Sequence, residues 1–481
     1  MSLSLALSAS MSGIALTSRA TQLVADNIAN QQTEGYGVRS LDQAARSLGG
    51  TGSGVVALGI HRDTDPGLIA EHRKASAQSA RHQQVTEFWN RVEATIGIPG
   101  EAGSLNQRMD ALEIALGHAA AQPDSQALLH QVAQATTDIA HGFLAIQTSL
   151  QHSRNSADAL IARDVDTLND TLSELARLNR EIQRQTLTGG APHALMDNRQ
   201  RLIDQIAEIV PVTEIMRENG RIALLAEDGS ILVDRDAAQF GFTRTTAISP
   251  EDRVETGALS GLSLNDRAVP PGSALLSEGR LGAAFAVRDR FAPELQQSLD
   301  QIATDLVTRF TQAEASPTTP AGAFGLLVPE GVLAWPASQP GLAGRLRLNP
   351  LADPAAGGDV TLLRSGLHAA QPAAVSDNQH LTRLRDALTQ MSQLPGAMSP
   401  HRAASGHVTD MLSQVATARL GAEQRSASST ARFTALQESV AARGVDTDAE
   451  LGKLLLLEQA YAANARVLAT LDAMLRRILE I

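Results

Sequence analysis

Four histidines, His118, His130, His141 and His152, follow one another at intervals of 12, 11 and 11 residues. Eleven residues is close to three helical turns, so on a helix the last three share a face, and imidazole is a common metal ligand. Neighbours at that spacing stand about 16 Å apart along the axis, whereas ligands of one zinc ion lie about 2 Å from it. The pattern therefore reads as a solvated stripe. The acidic pairs Asp164/Asp166 and Asp446/Asp448 are two residues apart, which on a helix turns them away from a common point. They read as surface charge or helix caps. Thr51-Gly52-Ser53-Gly54-Val55 has the glycines of a phosphate loop, but no lysine follows them, and it reads as a flexible turn. The chain has no His-Glu-x-x-His motif and no cysteine, so it has no thiolate nucleophile, cysteine metal site or disulfide. No set of residues converges on catalysis. The expectation is a protein that is not an enzyme and holds no cofactor or metal.

Composition narrows the class further. The 481 residues are enough for two to four domains, and 43% apolar content supports real cores. Aromatic residues make up only 3%, few for the ring-lined clefts of small-molecule sites. A formal charge of −12 opposes general nucleic-acid binding, which needs a concentrated basic face. No apolar run is long enough to span a membrane as a helix. Leu3, Leu5, Ala6, Leu7 and Ala9 resemble the apolar part of a signal peptide. However, no Lys or Arg precedes Arg19, serines interrupt the run, and the periodicity continues to Ile28. No cleaved signal is expected.

The elements that would position any functional surface start at the two ends. Ser2–Ile28 and Asp448–Leu479 both read as long helices with apolar seams at alternating four- and three-residue steps. The first seam is Leu3, Leu7, Ser10, Ile14, Thr17, Thr21, Val24 and Ile28. The second is Leu454, Leu457, Tyr461, Asn464, Leu468, Leu471, Leu475 and Ile478. Two such ends are suited to pack on each other or on copies of themselves. The first seam is rich in small and polar residues, so its burial returns little against the entropy of ordering the helix. Both ends are therefore expected to be loose in the monomer and to order on polymerisation.

Between the ends, 39–65 suggests a strand or two, with Gly54–His61 weakly alternating. Helices are expected at Leu68–Ile96, Ser104–Ala121 with a Ser104/Gln107 capping box, Ser125–Leu187 with one glycine at 142, and Ala194–Ile209. The period then changes to that of a strand. Val212–Met216, Arg221–Ala226 and Ser230–Val233 read as a meander with Asn219-Gly220 and Asp228-Gly229 turns. Helix returns at Glu278–Ala313, Asn378–Leu394 and Ser405–Arg443, the last with Val408, Leu412, Val415, Leu420, Phe433, Leu436 and Val440 as its apolar set. Ala315–Asp377 is rich in Pro and Gly, with strands expected at Phe324–Val328, Val332–Trp335 and Leu346–Leu348. The fold class is mainly α with small β-rich parts. Three units are expected. Residues 1–45 with 444–481 form a terminal helical polymerisation domain. Residues 46–314 with 378–443 form a helical body holding a small sheet at about 211–276. Residues 315–377 form a small β-rich or irregular outer insert.

Asn27-Ile28-Ala29-Asn30, Thr33, Gly35-Tyr36 and Arg39 resemble the N-terminal signature of the axial proteins of the bacterial flagellum, the rod, hook and hook-associated proteins. Glu34 stands where that signature has proline, and Ser40 where it has glutamine. At the other end, Val445–Glu450, Glu458-Gln459-Ala460-Tyr461 and Ala463–Leu468 resemble the C-terminal signature, with Asp446-Thr447 in place of Asn-Leu. Leu195–Ile203 followed by the meander is similar to the interior of the hook-associated protein 1 family, as are Phe88–Ile96 and the turn 121–125.

The resemblance implies a structural protein forming a ring at the junction between hook and filament. The ends would line an inner tube and the helical body would pack outside them. The implied assembly interface is Leu3, Leu7, Ile14, Val24, Asn27, Ile28, Asn30, Gly35 and Tyr36 with the second seam, Leu454, Leu457, Tyr461, Asn464, Leu468, Leu471, Leu475 and Ile478. The implied partners are copies of the chain, hook protein, the second hook-associated junction protein and an export chaperone on the C-terminal helix. No nucleic acid or membrane is implied. The implied place is extracellular, on the flagellum, after export through the flagellar channel. Two alternatives stay open: another axial protein (hook protein or the second junction protein), or a secreted coiled-coil effector or adhesin.

Overall fold

A computed structural model describes residues 3–48, 51–98, 101, 103–315, 318–331, 339–394 and 400–479. The first helix, α1 (Leu3–Ala29), runs into a long antiparallel hairpin of β1 (Val38–Leu48) and β2 (Thr51–Asp63). The hairpin pairs from Val38 opposite Asp63 to Leu48 opposite Thr51, with bulges near Asp42 and Ala45. The sequence shows only weak alternation here, over Gly54–His61. The bulges explain the weakness, because each shifts the side-chain period of one strand.

The helical body begins at α2 (Pro66–Ile96), capped by Asp65, whose carboxylate accepts the Gly67 and Leu68 N–H groups. Next is α3 (Leu105–Ala121). Ser104 caps it through the Gln107 N–H, but the Gln107 side chain accepts from the Gly103 N–H, so the expected reciprocal box forms one residue out of place. The axis of the body is α4 (Gln126–Leu187), 62 residues without a break and about 93 Å long. Gly142 does not interrupt it. A Cβ there would stand 3.1 Å from Arg108 Cδ, so the glycine lets Arg108 lie across the helix and donate to the Asp138 carbonyl.

Helix α5 (His193–Ile209) leads to the meander of β3 (Val212–Met216), β4 (Ile222–Ala226) and β5 (Ile231–Val233). Asn219 and Gly220 both take positive φ in the first turn, and Gly229 does so in the second. A second small sheet holds β6 (Phe240–Gly241), β7 (Ser263–Leu264) and β8 (Arg267–Ala268). Asparagines on α4 stand in for missing strand partners. Asn169 bonds both the N–H and carbonyl of Phe240, and Asn179 does the same for Ile222.

Helices α6 (Gly279–Ala286) and α7 (Ala292–Glu314) are joined by a π turn at Val287–Phe291. There Ala292 N–H bonds the Val287 carbonyl, five residues back, and Pro293 has no N–H to offer the Arg288 carbonyl. Arg154 on α4 donates to that carbonyl at 3.0 Å, and also to the carbonyls of Ser249 and Asp252. Burial pushes the Arg154 guanidinium down to about 10, which still leaves it charged at neutral pH. Arg288 itself is fully buried and pairs with Asp158 at 2.7 Å.

Residues 315–377 hold β9 (Leu327–Pro329), β10 (Leu346–Leu348) and the single-turn α8 (Leu362–Ser365). Leu326, Leu327, Leu342, Leu346, Val360 and Leu363 are buried in the same apolar core as α4 and α7. Asp300 on α7 fixes this stretch by accepting the Gly341 and Ala343 N–H groups. The expected strand Val332–Trp335 lies outside the described residues. The chain closes with α9 (Gln379–Thr389), shorter than expected, α10 (Ala404–Ala442) and α11 (Thr447–Leu479). On α10, Val408, Leu412 and Val415 are buried, whereas Leu420, expected on the same stripe, is exposed. The second half of α10 lies along α2, with Phe433 against His72 at 5.0 Å between ring centres.

Candidate assembly joint

The four histidines at 118, 130, 141 and 152 are exposed, as a solvated stripe requires. Among the described residues, no group of three or more His, Asp and Glu is placed to hold a metal ion. Asp446 is a cap, accepting the Asp448 and Ala449 N–H groups. Asp164 corrects the surface-charge reading. It is buried and paired with Arg280 at 2.8 Å, and burial raises its pKa despite that partner.

The polar residues that matter lie where the two chain ends meet. Helices α1 and α11 pack along each other in opposite directions. Asn27 meets Glu450 and Gly13 meets Asn464, two contacts separated by fourteen residues on each helix. Asn27 is buried and uses its whole side-chain amide. Its Nδ2 donates to the Arg39 carbonyl at 2.9 Å and to Glu450 at 3.1 Å. Its Oδ1 accepts from the Tyr36 hydroxyl at 2.8 Å and from the Arg39 N–H at 3.0 Å. Burial raises the Tyr36 pKa, which keeps its hydroxyl proton available as that donor. One asparagine thus ties together α1, the turn after it, the first strand and α11. The turn itself is shaped by Gly35 at φ 75°, where a side chain would be strained. Asn30 helps close it by donating to the Asp26 carbonyl and accepting from the Thr33 hydroxyl. Glu34, at the signature's proline position, is exposed and leaves this bonding intact.

A second node fastens the joint to the body. Asp197 on α5 accepts the Gly37 N–H at 3.1 Å, Arg39 at 2.9 Å and Arg62 at 2.7 Å. Arg62 also reaches Gln200 at 2.7 Å. The same helix turns Arg199 to the Gly220 carbonyl of the meander and Asp204 to Arg73 of α2. Helix α5 is therefore the keystone between the ends, the sheet and the helical body.

Of the residues expected at the interface, Val24, Asn27 and Leu471 are buried. Leu3, Leu7, Ile14, Ile28, Asn30, Gly35, Tyr36, Leu454, Leu457, Asn464 and Leu468 are partly covered, while Tyr461, Leu475 and Ile478 are exposed. Glu450, Asp197 and Arg62 were not singled out in the sequence. Their roles depend on contacts between residues 423, 160 and 135 positions apart.

A Cβ on Gly13 would stand 2.7 Å from Asn464 Nδ2. Gly13→Ala should therefore loosen the helix pair in the native background. With Asn464→Ala present it should stabilise the pair by about 1 kcal/mol through helix propensity. Hydrogen exchange of α1 in the two backgrounds reads this change of sign. The same sign in both backgrounds would place Asn464 away from Gly13.

The chain is thus a helical body carrying two antiparallel end helices locked at their base. The family model for the flagellar hook-associated protein FlgK helical domain matches residues 89–326, and that for the flagellar basal body rod FlgEFG protein C-terminal region matches residues 436–481. Flagellar hook-associated protein 1 of Bacillus subtilis (strain 168) is 22% identical, with 96% of this chain and 95% of that one covered. Flagellar hook-associated protein 1 of Escherichia coli (strain K12) is 24% identical, with 98% of each chain covered. A solved structure, the flagellar hook junction protein FlgK from Burkholderia pseudomallei, matches at 18% identity over 55% of this chain and 47% of that one, with a TM-score of 0.45, a likeness too slight to carry an argument. Together these matches point to the flagellar hook-associated protein 1 family. They support a structural protein rather than an enzyme, with partners among those of flagellar assembly and a place on the flagellum outside the cell. No helix among the described residues is long and apolar enough to cross a membrane.

Proposed function

We propose that the chain forms the ring joining hook to filament, packing side by side with copies of itself through its terminal helices. The observation that carries this is the second face of α11. One face lies on α1. A neighbouring stripe of Leu456, Val467 and Met474 is 67%, 45% and 56% exposed. These residues are three and two helical turns apart and so share a line. A helix apolar on more than one face is one that becomes buried, and a neighbouring copy's terminal pair supplies the cover. The segments 1–45 and 444–481 would then line the inner tube, with the body outside.

On this reading the ring meets hook protein on the cell side and the second junction protein on the far side. An export chaperone holds α11 until the chain passes through the flagellar channel. The terminal pair tightens on polymerisation, since so much of α11 is uncovered in a single copy. Hydrogen exchange of α11 should slow between monomer and assembly, and equally slow exchange in both would count against this.

Val467→Asp with Met474→Asp tests the stripe. Both sites are exposed, so the stability of the body should change by less than about 0.5 kcal/mol. In a strain relying on the variant, hooks should form without filaments. Normal filaments would remove the stripe from the interface.

A further inference from the structure

The two seams repeat every seven residues, so apolar packing alone does not fix how far α1 slides along α11. Counting along the helices from the Asn27–Glu450 and Gly13–Asn464 contacts puts Leu471 level with Leu7 and Asn464 level with Ile14 to within a residue, so moving α11 by one heptad would bring Ile478 level with Leu7 and Leu471 level with Ile14. The seam would stay largely filled. The polar contacts would not survive. Asn27 would face Leu457, Glu450 would pass beyond the end of α1, and Asn464 would leave the space at Gly13 for the Cβ of Ala20. We infer that Asn27–Glu450 and Gly13–Asn464 are a register lock, two positioning contacts that select one sliding position of the terminal helix pair.

The physical basis is that a buried polar residue in a repeating apolar seam favours the single register in which it is satisfied. Asn27 is 1% exposed and Glu450 2%, while much of α11 around Glu450 is exposed. The glutamate is thus buried by the joint rather than by a general core. Glu450 also holds Lys453 at 2.6 Å, so its second oxygen is occupied. One heptad is about 10.5 Å of axial travel. Any surface built from many copies needs every copy at the same height, but the lock itself concerns a single chain and stands whatever the pair is used for.

The chain has no cysteine, so introduced pairs report cleanly. Leu7→Cys with Leu471→Cys reads the native register, and Leu7→Cys with Ile478→Cys reads the register one heptad on. That slip exceeds the roughly 4.4–6.8 Å Cα separation a disulfide spans. In the otherwise native full-length chain, mild oxidation should link the first pair and give under about a tenth as much of the second. Adding Asn27→Leu and Glu450→Leu should raise the ratio of slipped to native product about tenfold or more. Glu450→Gln keeps an oxygen for the Asn27 N–H and should retain the native ratio. An unchanged ratio in the double leucine variant would overturn the inference, as would equal linking of both pairs in the native background. Loss of both links together in that variant would also overturn it, because it would make the contact a general stabiliser of the pair.

Discussion

Asp158→Ala should lower the stability of the helical body by about 3–5 kcal/mol, the cost of leaving one member of a buried ion pair without its partner. Asp158 and Arg288 both have fully buried side chains and meet at 2.7 Å. The other Asp158 oxygen accepts the Thr245 N–H at 2.8 Å, so the substitution also frees the strap that runs over α4 after the second sheet begins. Arg288 keeps Asp289 and the Ser260 carbonyl, which holds the loss within that range. Urea unfolding followed by the fluorescence of Trp89, which packs against Phe88 and Phe291 in the body, measures it. A loss under about 1 kcal/mol is the scale of a surface pair, and would mean that water reaches the site.

Asp197→Ala should separate the ends from the body without unfolding either. It removes one acceptor shared by the Gly37 N–H, Arg39 and Arg62, whose side chains are only 16% exposed beside an aspartate at 11%. Charge-assisted bonds of this kind are worth about 1.5–3 kcal/mol. Local opening of the turn and hairpin, residues 35–63, should therefore become about 10–100-fold more frequent by hydrogen exchange. Amides of α4 should be unaffected. Asp197→Asn, which retains an acceptor for Gly37, should fall between. Faster exchange across the whole chain would show that the node holds up the body rather than the joint.

Much of the architecture is readable in the sequence. The 3.6-residue period places α2, α3, α4, α5 and α10 close to their observed spans and gives α6 and α7 as one helix, Glu278–Ala313, while the Asn-Gly and Asp-Gly turns place the meander. The end seams forecast that α1 and α11 are suited to pack, and they pack on each other. The less readable features rest on tertiary contact. Bulges hid the regularity of the β1–β2 hairpin. Asp164 looked like surface charge because its partner, Arg280, is 116 residues away. The apolar residues of 315–377 have no period of their own, since they fill gaps against α4 and α7 rather than covering a regular face. At the joint, the motif residues Asn27, Tyr36 and Arg39 were visible as a pattern, but their purpose was not. Only the fold brings Glu450 and Asp197 to them. Glu450 alone reads as one acid in the first turn of a helix, a position favoured there for general electrostatic reasons.

The central claim is position on the flagellum, and gold labelling of this chain on isolated flagella, viewed by electron microscopy, tests it most directly. The account predicts one narrow band at the boundary between hook and filament. Label along the whole hook, a band set off from the hook by a gap, or no label on the flagellum would contradict it. Those results would point in turn to hook protein, the second junction protein and a secreted coiled-coil protein.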